Sequence, residues 1–219
     1  MENYIHSCGE HLRAPDRMRS FLIYALIGVT FSLLGWLCET LFVLILCNSF
    51  SDRGFPTLPL CPIYGFGLLA IFFTLNTPRG GVWKMIWNKP RSKVGKALAF
   101  TGCFILYALS VATLSSVIEF CTGLLFHKAF GLRMWNYTGY PLNIGGYVCL
   151  PYSAIWGALG TVVMTLLWNQ LYTALVCSDE AVLKIISLAL LMIIAADFIF
   201  NIIYLSISGH HINIFHRSG

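Results

Sequence analysis

Five runs of this chain, residues 21–46, 61–77, 97–126, 146–168 and 183–207, are dominated by apolar side chains. Crossing a hydrocarbon core takes about 20 helical residues, so each run reads as a membrane span, the second being the shortest. A segment in lipid has no water to satisfy its N–H and C=O groups, and a helix satisfies them within itself. The expectation is an all-α fold, an integral membrane helical bundle of about five transmembrane helices, with residues 1–219 as a single membrane domain. Composition agrees: 58% of residues are hydrophobic, 11% are charged and the mean hydropathy is +0.75. Soluble domains carry about a quarter charged residues. The polar stretch before Phe21 leads into an apolar run longer than the core of a signal sequence, so the first span is expected to stay as an anchor.

Lysine and arginine set the orientation. Arg13, Arg17 and Arg19 precede the first span, Arg79, Lys84, Lys89, Arg91, Lys93 and Lys96 separate the second from the third, and Lys184 precedes the fifth. That places ten basic residues on one side against four on the other, Arg53, Lys128, Arg133 and Arg217. The expected location is the cell membrane, multi-pass, with the N-terminus cytoplasmic and the C-terminus outside. The net charge of +5 reflects this asymmetry, and nucleic acid is not an expected partner; membrane lipids are.

Two acidic residues lie inside the spans, and each is followed fourteen positions later by an arginine: Glu39 by Arg53, Glu119 by Arg133. The segments beyond the two arginines match as well. Cys61-Pro62-Ile63-Tyr64-Gly65-Phe66-Gly67 opens the second span, and Cys149-Leu150-Pro151-Tyr152-Ser153-Ala154-Ile155-Trp156-Gly157 lies in the fourth. The pattern is that of a parallel internal repeat of two helices plus an outer loop, with repeat one at 21–77 and repeat two at 97–168. A basic interfacial linker at 78–96 joins them, and the fifth span at 183–207 is unpaired. Coincidence is the alternative. In the linker, Val82, Trp83, Ile86 and Trp87 would share one face of a short helix lying in the headgroups; a plain cytoplasmic loop with anchoring tryptophans explains them equally well.

Glu39 and Glu119 each lie about seven residues from the outer end of their spans, roughly 10 Å below the boundary. A carboxylate there is costly unless it is neutralised or paired, and Arg53 and Arg133 are the nearest cations. Either each pair staples its own loop, or both clusters converge on a polar pocket open to the outside. The candidate pocket residues are Glu39, Arg53, Tyr64, Glu119, Arg133, Trp135, Asn136, Tyr137 and Asn143. In the fifth span Asp197 and Asn201 are one turn apart and form an intramembrane polar pair; Asp197 is a proton or cation site, or a hydrogen-bonding group to a neighbouring helix. Gly157 and Gly160 fit close helix packing.

Of the eight cysteines, Cys38, Cys47, Cys103, Cys121 and Cys177 lie in or near spans, where a thiol acts as a small hydrophobe. Cys61 and Cys149, matched between the repeats, merit a disulfide test. The histidines form no helical ligand pair, and His210, His211 and His216 crowd the tail, so no metal and no cofactor are expected. No Ser-His-Asp arrangement or HExxH helix names a reaction, and the catalytic residues of any enzymatic reading are unknown.

The chain resembles the putative ABC-transporter type IV permease family. The residues that carry the resemblance are Gly35-Trp36-Leu37-Cys38-Glu39, Asp52-Arg53-Gly54-Phe55, the Cys61 to Gly67 motif, Glu119, and Arg133-Met134-Trp135-Asn136-Tyr137-Thr138, then Pro141, Asn143, Gly145-Gly146 and Trp156-Gly157. Family members commonly have Asn where Asp52 stands and Trp-Asp-Tyr-Ser where Trp135-Asn136-Tyr137-Thr138 stands. The resemblance implies a permease. With no GxxxxGK[ST] loop in the chain, ATP hydrolysis would belong to a separate cytoplasmic ATPase subunit docked on the linker and the 176–184 turn. Three functions are open: a permease-like protein, the membrane subunit of a transporter for a small polar or anionic solute; a membrane enzyme acting on a lipid or lipid-linked substrate at the outer leaflet; or a structural or accessory subunit.

Overall fold

The computed structural model describes residues 16–48, 54–87 and 92–209. Arg13, Asp52, Arg53, Lys89, Arg91, His210, His211, His216 and Arg217 lie outside the described residues. The elements are α1 (Arg17–Cys47), α2 (Pro62–Leu75), α3 (Gly81–Trp87), α4 (Lys93–Phe130), β1 (Asn143–Ile144), β2 (Val148–Cys149), α5 (Leu150–Leu166), α6 (Trp168–Val176) and α7 (Glu180–Ser208). The protein is an all-α membrane protein. Three helices, α1, α4 and α7, are long and apolar enough to cross a membrane, and a fourth span arises if α5 and α6, bent by 41° at their junction, are one broken helix. The short second run is α2, whose 14 residues reach roughly 21 Å.

The chain divides into two compact units, Met1–Phe66 with Gln170–Gly219, and Gly67–Asn169. In the first, α1 packs on α7. Asp16 caps α1 by accepting from the Arg19 N–H at 2.6 Å, and Asp179 caps α7 by accepting from Ala181 and Val182. The Arg19 guanidinium donates to the carbonyls of Val176 and Ser178 at 2.9 and 2.8 Å and lies 3.6 Å from Glu180. It thereby satisfies carbonyls that the end of α6 leaves open, and it ties the starts of α1 and α7 to one level.

The first turn of α2 approaches α1 along Gly28, Ser32, Gly35 and Glu39, which share one helix face. A Cβ on Gly65 would overlap the Gly28 carbonyl and the Ser32 side chain, and one on Gly35 would enter the Tyr64 ring. Between helices in lipid the hydrophobic drive is absent, so close backbone approach over small residues supplies the contact. The Cys61 N–H donates to the Ser32 carbonyl at 3.0 Å, which fixes where α2 begins. Just before it, Phe55 and Pro56 are buried and Phe55 meets Phe198 of α7 edge-on at 5.4 Å.

In the second unit α4 packs along α5. Gly157 lies so close to α4 that a Cβ would come within 2.7 Å of the Ala112 Cβ and 2.8 Å of the Ala108 carbonyl oxygen. Ser116 and Ser153 bridge the same pair at 2.6 Å. α4 has 38 residues and spans roughly 57 Å, longer than a hydrocarbon core. Its C-terminus closes on Gly131, whose N–H returns to His127 and Phe126.

Two expectations are corrected. Trp83 does not lie on an open helix face. It is 8% exposed, donates its indole N–H to the Leu75 carbonyl at 2.9 Å and meets the buried Tyr107 ring edge-on at 5.3 Å. α3 is a single short element of 7 residues, held down by that indole because the free carbonyl at the end of α2 needs a donor. Cys61 and Cys149 are both buried, whereas Cys177 is disulfide-bonded and not a simple apolar filler.

Candidate functional site

Each unit holds one of the intramembrane glutamates against a tyrosine hydroxyl. In the first, Tyr64 donates to Glu39 Oε2 at 2.9 Å, and the Cys61 thiol lies 3.9 Å from the same oxygen. α1 supplies the carboxylate and the first turn of α2 supplies the hydroxyl, at the point where Gly35 lets the Tyr64 ring lie against the α1 backbone. Arg53, the cation expected beside Glu39, lies outside the described residues.

In the second unit Glu119, 7% exposed on α4, accepts from Tyr137 at 2.9 Å. Tyr137 belongs to the loop between α4 and β1 and is held there by its neighbours. Its N–H donates to the Gly146 carbonyl, and its ring stacks on Tyr152 with centroids 4.8 Å apart, while Tyr140 meets Tyr152 edge-on at 5.3 Å. The sequence matches Tyr152 with Tyr64; here the hydroxyl of Tyr137 donates to the carboxylate, and Tyr152 stacks on the Tyr137 ring.

The loop is folded by its own polar groups. Asn136 accepts from the Thr138 N–H at 3.1 Å, and Asn143 donates to the carbonyls of Thr138 and Tyr140 and accepts from the Gly146 N–H. Short Asn side chains stand in for backbone partners in such turns. Gly146 has φ +74°, and a Cβ there would come within 2.8 Å of Thr138 and 2.9 Å of Asn136, so no other residue fits. Asn136 and Asn143 are therefore loop formers.

Arg133 is not ion-paired with Glu119. Its guanidinium lies 5.4 Å from the centroid of the Tyr147 ring and stands beside Gly146. Tyr147 is the hub of this end: its carbonyl accepts from the Trp135 indole at 2.7 Å, its hydroxyl is 2.5 Å from His127 Nδ1, and its ring meets Phe120 edge-on. Neither Tyr147 nor His127 stands out in the sequence; the Gly145-Gly146 pair preceding Tyr147 is the signal that marks its position. The cation–π contact is worth about 0.5–1 kcal/mol at an exposed site and leaves the N–H donors of the guanidinium available.

Asp197 and Asn201 are brought together as expected, with Asn201 Nδ2 donating to the Asp197 carbonyl at 2.8 Å. Beyond its own helix, Asp197 bonds to the loop that precedes α2, accepting from the Thr57 hydroxyl and, at 3.4 Å, from the Leu58 N–H.

A family model described as "Putative ABC-transporter type IV" matches residues 23–202, from the start of α1 to the last turns of α7, with both glutamate clusters inside the match. No curated protein and no solved structure matches the chain.

Proposed function

The chain belongs to the putative ABC-transporter type IV family, and on that premise we propose that it is the membrane subunit of a transporter whose outer loops receive a small polar or anionic solute. A separate cytoplasmic ATPase supplies the energy, since the chain carries no nucleotide-binding loop of its own. The observation that carries the reading is Arg133: a guanidinium on a loop folded by its own hydrogen bonds, with no acidic partner among the described residues and with its face on Tyr147. A planar fork of donors so held suits a carboxylate or phosphate group. Glu39 and Glu119 are assigned the other role, holding the tyrosines that shape the two loops.

A parallel repeat, residues 21–77 and 97–168, is supported by matching helix registers. Gly65 meets α1 at Gly28 and Ser32, eleven and seven residues before Glu39; Gly157 meets α4 at Ala108 and Ala112, eleven and seven before Glu119. The offsets agree on α1 and α4, while on the second helix the contacting glycine stands one turn further from its cysteine in repeat two than in repeat one. Orientation is supported by parity. Arg19 ties the starts of α1 and α7 to one level, so the chain between them must cross the membrane an even number of times. With α1, α4 and the α5–α6 pair each crossing, α2 must cross as well despite its length. That makes five spans, a cytoplasmic N-terminus beside Arg17, Arg19 and Lys184, and a C-terminus outside. Apolar residues on α4 such as Ile105, Leu106 and Leu109 are more than half exposed and face membrane lipid in this arrangement.

The test is binding of phosphate, sulfate and short carboxylates to the purified chain in nanodiscs, compared with Arg133→Ala and Arg133→Lys. Loss of a charge-assisted bond of about 1.5–3 kcal/mol weakens binding roughly ten- to hundred-fold in Arg133→Ala. A panel that binds no anion, or binds one equally well to Arg133→Ala, refutes the assignment.

A further inference from the structure

Beneath loop 54–60 of the first unit, the buried face of α7 carries polar atoms that the tyrosine–glutamate clusters do not use. Asn201 is 2% exposed, and its amide nitrogen is engaged by Asp197, but its Oδ1 is buried with no hydrogen-bond partner among the described residues. Thr40 of α1 is 3% exposed, and its Oγ1 is likewise buried and unpartnered. The two lie at one level: α1 and α7 pack together and start from the same height, and Thr40 and Asn201 follow Arg19 and Glu180 respectively by about 21 residues, roughly 32 Å along parallel axes. A buried polar atom without a partner carries its full desolvation cost, so each of these two oxygens calls for a bonding partner, and they stand at the same height of one helix pair.

Asp197 adds the charge. It accepts from the Thr57 hydroxyl, the Leu58 N–H and Asn201, and no Lys, Arg or His among the described residues pairs with it. A carboxylate inside a span is costly unless a cation balances it. The groups gathered around Asp197 are its carboxylate, the Asn201 amide and the Thr57 hydroxyl, with the Thr40 hydroxyl at the same level of α1; all offer oxygen, which is what hard cations take, whereas soft metals need sulfur or imidazole. One carboxylate balances one positive charge, and calcium generally takes more than one.

We propose that Asp197, Asn201, Thr57 and Thr40 form a binding site for a small monovalent cation, sodium, beneath loop 54–60. The cation neutralises Asp197, satisfies the Asn201 and Thr40 oxygens, and fastens the loop and α1 to α7. Arg133 takes no part in it, so its outcome is independent of the solute assignment.

The full chain in nanodiscs is melted over a range of NaCl, with choline chloride keeping the ionic strength constant. The Tm rises with the logarithm of sodium concentration, as linkage requires of a ligand held by the folded state. Asp197→Asn and Asn201→Leu lose this rise. Should either fail to fold, Thr40→Val, which exchanges a hydroxyl for a methyl, keeps the fold and moves the sodium midpoint upward about tenfold. Equal Tm values in NaCl and choline chloride overturn the proposal, as does an unchanged sodium midpoint in Thr40→Val.

Discussion

Replacing Tyr137 by phenylalanine removes one hydroxyl and keeps the ring that stacks on Tyr152 at 4.8 Å. The change isolates the bond to Glu119 at 2.9 Å. Because Glu119 is 7% exposed, water cannot replace the lost donor readily, and the cost is that of losing a bond to a buried acceptor, about 1–3 kcal/mol. Glu39 is only partly buried, so Tyr64→Phe is expected to cost less, about 0.5–1.5 kcal/mol. Unfolding is monitored by titration from mild into denaturing detergent, with hydrogen exchange of residues 131–149 as a local probe. A cycle with Glu119→Leu isolates the pair: removing both partners costs less than the sum of the single changes, by about 1 kcal/mol or more. A Tyr137→Phe variant that stays within about 0.3 kcal/mol of the parent and leaves the exchange of the loop unchanged would show that the bond to Glu119 does not hold the loop.

The helix contacts respond to substitution in the same titration. Gly157→Val pushes a side chain into Ala108 and Ala112 and destabilises by about 1–3 kcal/mol, and Gly65→Val does so against Gly28 and Ser32. Arg19→Ala loses two carbonyl acceptors and costs about 1–3 kcal/mol, whereas Glu180→Gln, whose side chain is 73% exposed, costs less than about 1 kcal/mol; equal losses would mean that the ion pair and not the carbonyl bonds hold α1 to α7. Trp83→Phe keeps an aromatic ring and loses the indole bond to Leu75, lowering stability by about 0.5–1.5 kcal/mol; a loss near zero would return Trp83 to a surface role.

Much of this arrangement is legible in the sequence, for definite reasons. Apolar run length marks spans because lipid leaves the backbone no other solution, and a carboxylate in such a run announces a partner. The pocket residues named from sequence include Tyr64 and Tyr137, and each donates to a glutamate. That Tyr137 also stacks on Tyr152, the match of Tyr64, is not legible, because the loop carrying Tyr137 folds back through Asn136, Asn143 and Gly146. Those turn bonds depend on backbone angles that spacing alone does not specify. The fourteen-residue separation of Glu119 and Arg133 reads as a pair, but sequence distance says nothing of the path between them, and Tyr147 offers Arg133 a closer surface. Trp83 reads as interfacial from its neighbours, yet its position is decided by the free carbonyl at the end of α2. The equivalent roles of Gly65 and Gly157 become visible only when the partner helix is present.

The proposal of two same-facing repeats with their tyrosine–glutamate loops outside is tested directly by protease access. A cleavage site inserted after Gly139, whose surroundings are open, and a second in a tag beyond Gly219 are exposed to protease on intact cells and on inverted vesicles. The parallel repeat requires cutting at both places in intact cells and protection of a tag at the N-terminus. Cutting after Gly139 in inverted vesicles alone would contradict it.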